Sequence, residues 1–227
     1  MNCQFSFLTA CATLGTDIPR KAATMSQDKQ LPLRERNRLR TRTDILDAAA
    51  ETLSEKGYSA TTIEELSQRA GLARGTLYAH FPGGREEIVR EAYLRIADAV
   101  YVRGLALRGE AADLPGRIAA LARAVVESAG TAAGRFYWRT GPDVVPVLAS
   151  VMGGTSRSFE ELIRLDLAAA QASGQLRDDI AVEALTTAFS GAFRASGARV
   201  AAEPGCAQEQ IAAIRLIAQG LLASAAV

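Results

Sequence analysis

The stretch from Arg74 to Arg85 carries the side chains best suited to reading a polyanion. Arg74, Thr76, Tyr78, His80 and Arg85 supply cations, hydroxyls and an imidazole, and Gly75 and Ala79 are small. A nucleic-acid-reading surface needs donors for phosphate oxygens, a backbone that can come close, and a few side chains that reach base edges. Arg74, Gly75 and Thr76 are the candidates for base edges, and Ala79 for a thymine methyl. Thr62, Tyr78, His80 and Arg85 are the candidates for phosphate. The same residue types also fit the solvated face of an ordinary helical hairpin, so composition alone leaves both readings open. Upstream, residues 33–42 hold Arg34, Arg36, Arg38, Arg40 and Arg42 against Glu35 alone. On a flexible arm such a run follows a phosphate backbone or enters a minor groove; otherwise it is a solvated leader.

Two short helices must position these groups. Thr62 and Glu65 have the spacing of a capping box, which starts a helix at Ile63. Ile63, Leu66 and Ala70 share one face of it, and Gly71 can take the left-handed conformation that ends it. The second helix runs roughly from Arg74 to Phe81, with Leu77 and Phe81 four apart to lock it to the first and Leu72 in the turn between them. A preceding helix is expected over 38–56, with Ile45, Leu46, Ala49 and Leu53 buried and Lys56 at its C-terminal end. Gly57 closes it, and Tyr58 packs beneath the hairpin.

The segments Ile-Leu-Asp-Ala-Ala at 45–49, Lys-Gly-Tyr-Ser-Ala-Thr-Thr at 56–62 and Gly-Thr-Leu-Tyr-Ala-His-Phe-Pro-Gly-Gly at 75–84 resemble the DNA-binding domain of TetR-family transcriptional regulators, over residues 41–88. The resemblance implies an all-α chain. An N-terminal three-helix helix-turn-helix domain would be followed by a helical ligand-binding and dimerisation domain. It also implies double-stranded operator DNA as partner, a homodimer, a small hydrophobic or amphipathic ligand, and repression as the commoner outcome. Two departures stand out. Ala73 occupies a turn position that is often serine, leaving the second helix without a side-chain cap, and the basic residue after the Phe-Pro pair is Arg85 rather than lysine. The charge at 85 is kept.

The expected domain layout is a disordered leader over 1–33, a helix-turn-helix domain with its basic arm over 34–84, and the helical domain over 85–227. Residues 1–24 fit nothing downstream, and translation from Met25 is expected. Leu8-Thr9-Ala10-Cys11 has the look of a lipoprotein cleavage box, but no Lys or Arg precedes it and its apolar core is too short for a secretory signal. A chain of 227 residues with 48% hydrophobic and 22% charged residues can bury a sizeable core. No apolar run approaches the roughly 18 residues needed to span a bilayer. Cys3, Cys11 and Cys206 have neither metal-ligand spacing nor the even count of a disulfide framework. A reducing, cytoplasmic setting follows, with no metal and no cofactor. Net charge is only +1, yet residues 26–85 hold ten Lys and Arg against eight Asp and Glu, and residues 86–227 fourteen against sixteen. The basic excess thus sits at the DNA-reading end. An enzyme is disfavoured: the single histidine is His80, and no phosphate loop or paired nucleophile and base is present. A helical protein using the hairpin to bind another protein is the alternative class.

Past Pro82-Gly83-Gly84 a longer helix is expected from about Arg85 to 108, with Glu86 and Glu87 at its positive end and Ile88, Tyr93, Ile96, Val100 and Leu107 inward. Leu114 to Ala129 forms the next, with Pro115 in its first turn. Gly130, Gly134, Gly141 and Pro142 then fragment the chain around Phe136, Tyr137 and Trp138. With Phe159, Phe189 and Phe193 these aromatics are candidates for a ligand pocket, or for plain core packing. Helices follow over 159–172, 180–201 and 206–223. Leu185, Ala188, Ala192, Ile211, Ile214, Ile217 and Leu221 of the last two form either a dimer interface or internal core, and the resemblance favours the dimer. A symmetric dimer would set two reading helices in successive major grooves, about 34–36 Å apart, on a near-palindrome.

Overall fold

The computed structural model describes residues 31–139, 143–177 and 179–223. Most of the expected leader, including Leu8 to Cys11, and the breakers Gly141 and Pro142 lie outside the described residues. The chain is all-α, and among the described residues the only β pairing is the isolated bridge between Leu176 and Leu222.

The chain divides between Asn37 and Arg38 into two units. In the first, the Pro32 carbonyl accepts from the Glu35 and Arg36 N–H groups at 2.9 and 3.1 Å. Helix α1 (Leu33–Lys56) therefore starts at Leu33. The arginine run is helical, where the sequence reading has a flexible arm and a start at 38. Arg, Leu and Glu are strong helix formers, no Gly or Pro interrupts them, and Glu35 sits in the first turn where the dipole favours it.

The second unit holds the rest. Gly57, at φ 73°, turns the chain out of α1. Thr62 then caps α2 (Ile63–Ala70), its side chain accepting from the Glu65 N–H at 3.2 Å. Only half of the expected box forms, because the Glu65 carboxylate takes Lys56 Nζ at 2.6 Å. Gly71 closes α2 at φ 65°, and α3 (Arg74–His80) begins three residues later. Helix α4 (Gly84–Gly109) leads into α5 (Leu114–Ala129), capped by the Asp113 carboxylate on the Gly116 N–H at 2.7 Å. Then come α6 (Ala132–Trp138), α7 (Val145–Leu148), α8 (Gly154–Ala172), α9 (Val182–Ala202), a 3-10 turn Pro204–Cys206, and α10 (Ala207–Gly220).

Helix α5 is central, packed by α4, α9 and α10. Close approach explains two glycines. Gly134 does not break the chain as the sequence suggests: it sits within α6, and a Cβ there would lie 1.8 Å from the Ser128 carbonyl oxygen. Gly197 of α9 lies flat against the Trp138 indole, where a Cβ would fall 2.5 Å from the ring. One buried ion cluster joins three helices. Asp166 of α8, 2% exposed, accepts both Nε and Nη2 of Arg108 at 2.7 Å and Nη1 of Arg117 at 3.2 Å. Such a bidentate pair fixes geometry as well as charge.

The Gly197 contact yields a prediction. Gly197→Ala forces the Trp138 ring to move and should destabilise the fold by about 1–3 kcal/mol in urea unfolding. Adding Trp138→Leu should restore part of the loss. A neutral Gly197→Ala would show that α6 yields at no cost.

Candidate nucleic-acid interface

A helix as short as α3 is marginal in isolation, so tertiary contacts must hold it. Leu77 and Phe81 supply the apolar ones: both are fully buried, in a cluster with Ile45, Leu46 and Ala49 of α1, Leu66 of α2, and Ile88 and Ala92 of α4. Ala73 offers no side-chain cap; its carbonyl accepts from the Thr76 and Leu77 N–H groups instead. The opposite face of α3 is open. Arg74, Gly75, Tyr78 and Ala79 are exposed, Thr76 and His80 half-buried. No heavy atom lies within 4 Å of where a Gly75 side chain would start. Arg74 Nη1 rests 2.8 Å from Glu64 Oε1, and both side chains are more than half exposed. A pair so exposed is worth about 0–1 kcal/mol and leaves the guanidinium available to a phosphate or a base. Thr62, Arg38 and Arg40 are exposed as well.

Two cations expected to bind phosphate are committed to the protein. Arg42 lies 4.1 Å above the Phe81 ring, donates to the His80 carbonyl at 2.5 Å and pairs with Glu91 at 3.0 Å. It thereby staples α1 to the last turn of α3 and to α4. Arg85 lies 4.1 Å above the Tyr58 ring, donating to the Tyr58 hydroxyl at 2.8 Å and to the Thr61 carbonyl at 3.2 Å. Its partners hold the turn before α2. In the chain by itself, an aromatic face and a carbonyl engage each guanidinium that the sequence offers to phosphate. Tyr58 is accordingly half-buried between Arg85 and the larger core.

His80, the only histidine, has its Nδ1 buried with no hydrogen-bond partner. Burial first, and then the charges of Arg38 and Arg42, hold its imidazole below the ordinary value of 6.5. Near neutral pH it is an uncharged group at the end of the reading helix.

The hairpin matches known proteins. Residues 45–92 fit the family described as "Bacterial regulatory proteins, tetR family". The chain carries a TetR-family domain over these residues. Its TetR-family domain is similar to the HTH-type transcriptional regulator AlkX of Mycobacterium tuberculosis, 34% identical over 77 residues, which is 34% of this chain and 36% of that protein. It is also similar to the HTH-type transcriptional repressor KstR2 of Rhodococcus jostii, 37% identical over 60 residues, or 26% and 29% of the two chains. The match thus spans about a third of the length of these curated relatives. The fold extends further. The solved ketosteroid transcriptional regulator KstR2 of M. tuberculosis superposes with a TM-score of 0.62 over 81% of this chain and 95% of that one, at 22% identity.

Outside the TetR-family domain the structure separates the candidate ligand residues. Tyr137, Trp138, Phe159 and Phe193 line a narrow cavity of about 20 Å³. Tyr137 stacks on Tyr93 at 4.5 Å, and Phe159 meets Phe193 edge-on at 6.3 Å. The Trp138 indole N–H is buried there with no partner. Phe136 instead lines a separate cleft, and Phe189 is buried in the main core. The candidate dimer residues divide too. Ile217 is 55% exposed, Ala188 is exposed, and Leu185 and Ala192 are half-buried. Ile214 is 2% exposed within this chain's own core, Leu221 packs against that core, and Ile211 packs on Val126, Ala129 and Val200. Helix α10 stops at Gly220, with Leu221 as its C-cap. Leu216, 66% exposed beside Ile217, escapes a reading that follows only the longest apolar stripe.

The staple and the histidine can be tested separately. Arg42→Ala should lower stability by about 1–3 kcal/mol, from the lost cation–π contact and charged hydrogen bonds, measured by urea unfolding. An NMR pH titration of the single histidine should give a midpoint below 6.5, moving upward in Arg42→Met. Because the folded pKa is depressed, the stability contributed by neutral His80 is present above about 6.5 and is lost as pH falls from that value through the folded midpoint. A midpoint at or above 6.5 would reverse that sign.

Proposed function

We propose that this protein is a DNA-binding transcriptional regulator, acting as a repressor on a palindromic operator as a homodimer and released by a small hydrophobic or amphipathic ligand in its C-terminal domain. The observation that carries the reading is the exposed face of α3 within the TetR-family domain. Arg74, Gly75 and Thr76 stand at its N-terminal end, where reading helices present residues to base edges. Tyr78 and His80, with Arg38 and Arg40 of α1, serve the phosphates, and Thr62 caps α2 at the same surface. Similarity to a repressor, KstR2 of Rhodococcus jostii, supports the sign of regulation. A protein of this kind works in the cytoplasm, and among the described residues no helix is long and apolar enough to cross a membrane.

The dimer is assigned to α9 and α10. Leu216 and Ile217 leave large apolar side chains in water, while Ala188 and Ala192 present a small-residue surface close to the helix axis. Burying two such faces against each other recovers about 25 cal/mol for each Å² of apolar surface removed from water. Ligand release follows if the ligand binds better to the conformation whose two reading helices are wrongly spaced. DNA then weakens ligand binding by the same factor.

Fluorescence anisotropy of the full chain on the intergenic DNA beside its gene, against a scrambled duplex and over a salt series, tests the assignment. Selective binding is expected. Arg74→Ala should cost about 1–3 kcal/mol on the operator. Arg40→Ala should weaken both duplexes alike and flatten the salt slope by about 0.9. Equal, weak binding of both duplexes by a folded dimer would overturn the reading at that site.

A further inference from the structure

Helix α6 has two different surroundings. On the side of Tyr137 and Trp138 the aromatic cavity is narrow and holds only about 20 Å³, little more than one water can occupy. On the side of Arg135, Phe136 and Arg139 lies a cleft of about 350 Å³, the size of a small-molecule site. Its floor is apolar: Leu53, Phe136 and Val144 are 3%, 6% and 2% exposed.

The cleft's charges are unevenly used. Its two acids are both occupied. Glu55 pairs with Arg69, and Asp143 Oδ2 accepts from Ser59 Oγ at 2.8 Å and from the Ser59 N–H at 3.2 Å. Its two cations are not. Arg135 Nη1 reaches only the Gly130 carbonyl, at 3.3 Å, and neither Arg135 nor Arg139 pairs with a carboxylate among the described residues. Arg135 within α6 and Arg139, which caps its C-terminal end, both line the cleft. The Asp143 contact matters because of where it lands. Ser59 lies in the turn between α1 and α2, three residues before the Thr62 cap, so the segment that follows α6 holds the entrance to the DNA-reading hairpin.

We propose that this cleft binds a small amphipathic organic acid. The carboxylate is held by Arg135 and Arg139 and the apolar body lies on Leu53, Phe136 and Val144. Arginine forks suit a carboxylate in both shape and charge. A second carboxylate drawn in beside Asp143 repels it, and the Asp143 to Ser59 contact opens. The turn that leads to Thr62 then loses one of its anchors, and α2 and α3 shift. This inference rests on the regulator reading and gives its ligand a class and a site. It uses a cleft that is already open, so the aromatic core need not separate.

Calorimetry of the full chain with phenylacetate and with octanoate tests the site, with phenylacetamide and octanamide as neutral controls and an Arg135→Gln, Arg139→Gln variant as the second arm. At least one acid should bind, with the matching amide and the double variant each at least tenfold weaker. Hydrogen exchange at the Ser59 amide should speed up on saturation. Thermal unfolding of the variant checks its fold, and the amides test the charge requirement on the unaltered protein. The proposal is overturned if neither acid binds, if the amide binds as well as its acid, or if a folded double variant binds equally. Anisotropy on operator DNA in the same samples separates the two readings. Acid binding with unchanged DNA affinity keeps the site and removes its regulatory role. A ligand-free chain that fails to bind DNA removes the regulator reading and leaves the site standing.

Discussion

The structure depends on two helices that belong to two cores at once. In α4, Ile88 and Ala92 are buried with the hairpin, while Val89, Tyr93, Ile96 and Val100 are buried with α5 to α10. In α1, Ile45, Leu46 and Ala49 face the hairpin, and Ala50 and Leu53 face the larger core. Together they form a shared wall with apolar packing on both sides. The hairpin of α2 and α3 is therefore oriented by close-packed side chains rather than by a linker. With 26 residues α4 is about 39 Å long, so a tilt of about 5° at one end moves the other by roughly 3 Å. In the proposed dimer, a displacement of that size is enough to misplace one reading helix relative to its partner in a groove about 12 Å wide.

The same wall explains the division of labour among the arginines. A seven-residue helix buried through Leu77 and Phe81 alone would be free to roll. Arg42 prevents this by contacting the Phe81 ring and the His80 carbonyl at its C-terminal end while pairing with Glu91 on α4. Arg85 does the corresponding work for the turn before α2 through Tyr58 and Thr61. Each is a cation next to the reading surface that serves the rigidity of that surface. Arg74, paired only with an equally exposed Glu64, keeps its charge for an outside partner.

The hairpin was legible because its determinants are local. Thr62, Gly71 and the Leu77 to Phe81 spacing act within one or two helical turns, and the structure places the helix ends within a residue or so of where these signals put them. The roles of Arg42 and Arg85 were not legible, since they depend on rings and carbonyls 24 to 39 positions away. Gly134 illustrates a different limit. As a glycine in a broken region it reads as a breaker, whereas its function is to let α6 pass the Ser128 carbonyl, a contact that only packing reveals. Asp166 was hidden for the opposite reason. Among Glu160, Glu161 and Arg164 it looks like one more solvated charge, yet it alone faces inward, to Arg108 and Arg117. The apolar stripe of α10 was read correctly as apolar, but periodicity cannot say which side of it this chain already covers.

Helix α6 is where the two parts of the chain can influence each other at least cost. Its inner side is held by Trp138 against Gly197 and by Tyr137 stacked on Tyr93. Enlarging the narrow aromatic cavity means separating rings that already touch, and every methylene exposed to an empty gap forfeits dispersion and burial energy. Its outer side is already open. The contact there between Asp143 and Ser59 is exposed, and exposed hydrogen bonds of this kind are worth about 1–2 kcal/mol net. A ligand has to supply only that much differential binding energy to change the occupancy of the contact severalfold. The rigid inner side and the weakly latched outer side are therefore complementary. One keeps α6 fixed relative to α5 and α9, so that a change at the other is felt by the turn beneath α2 and not absorbed by the core.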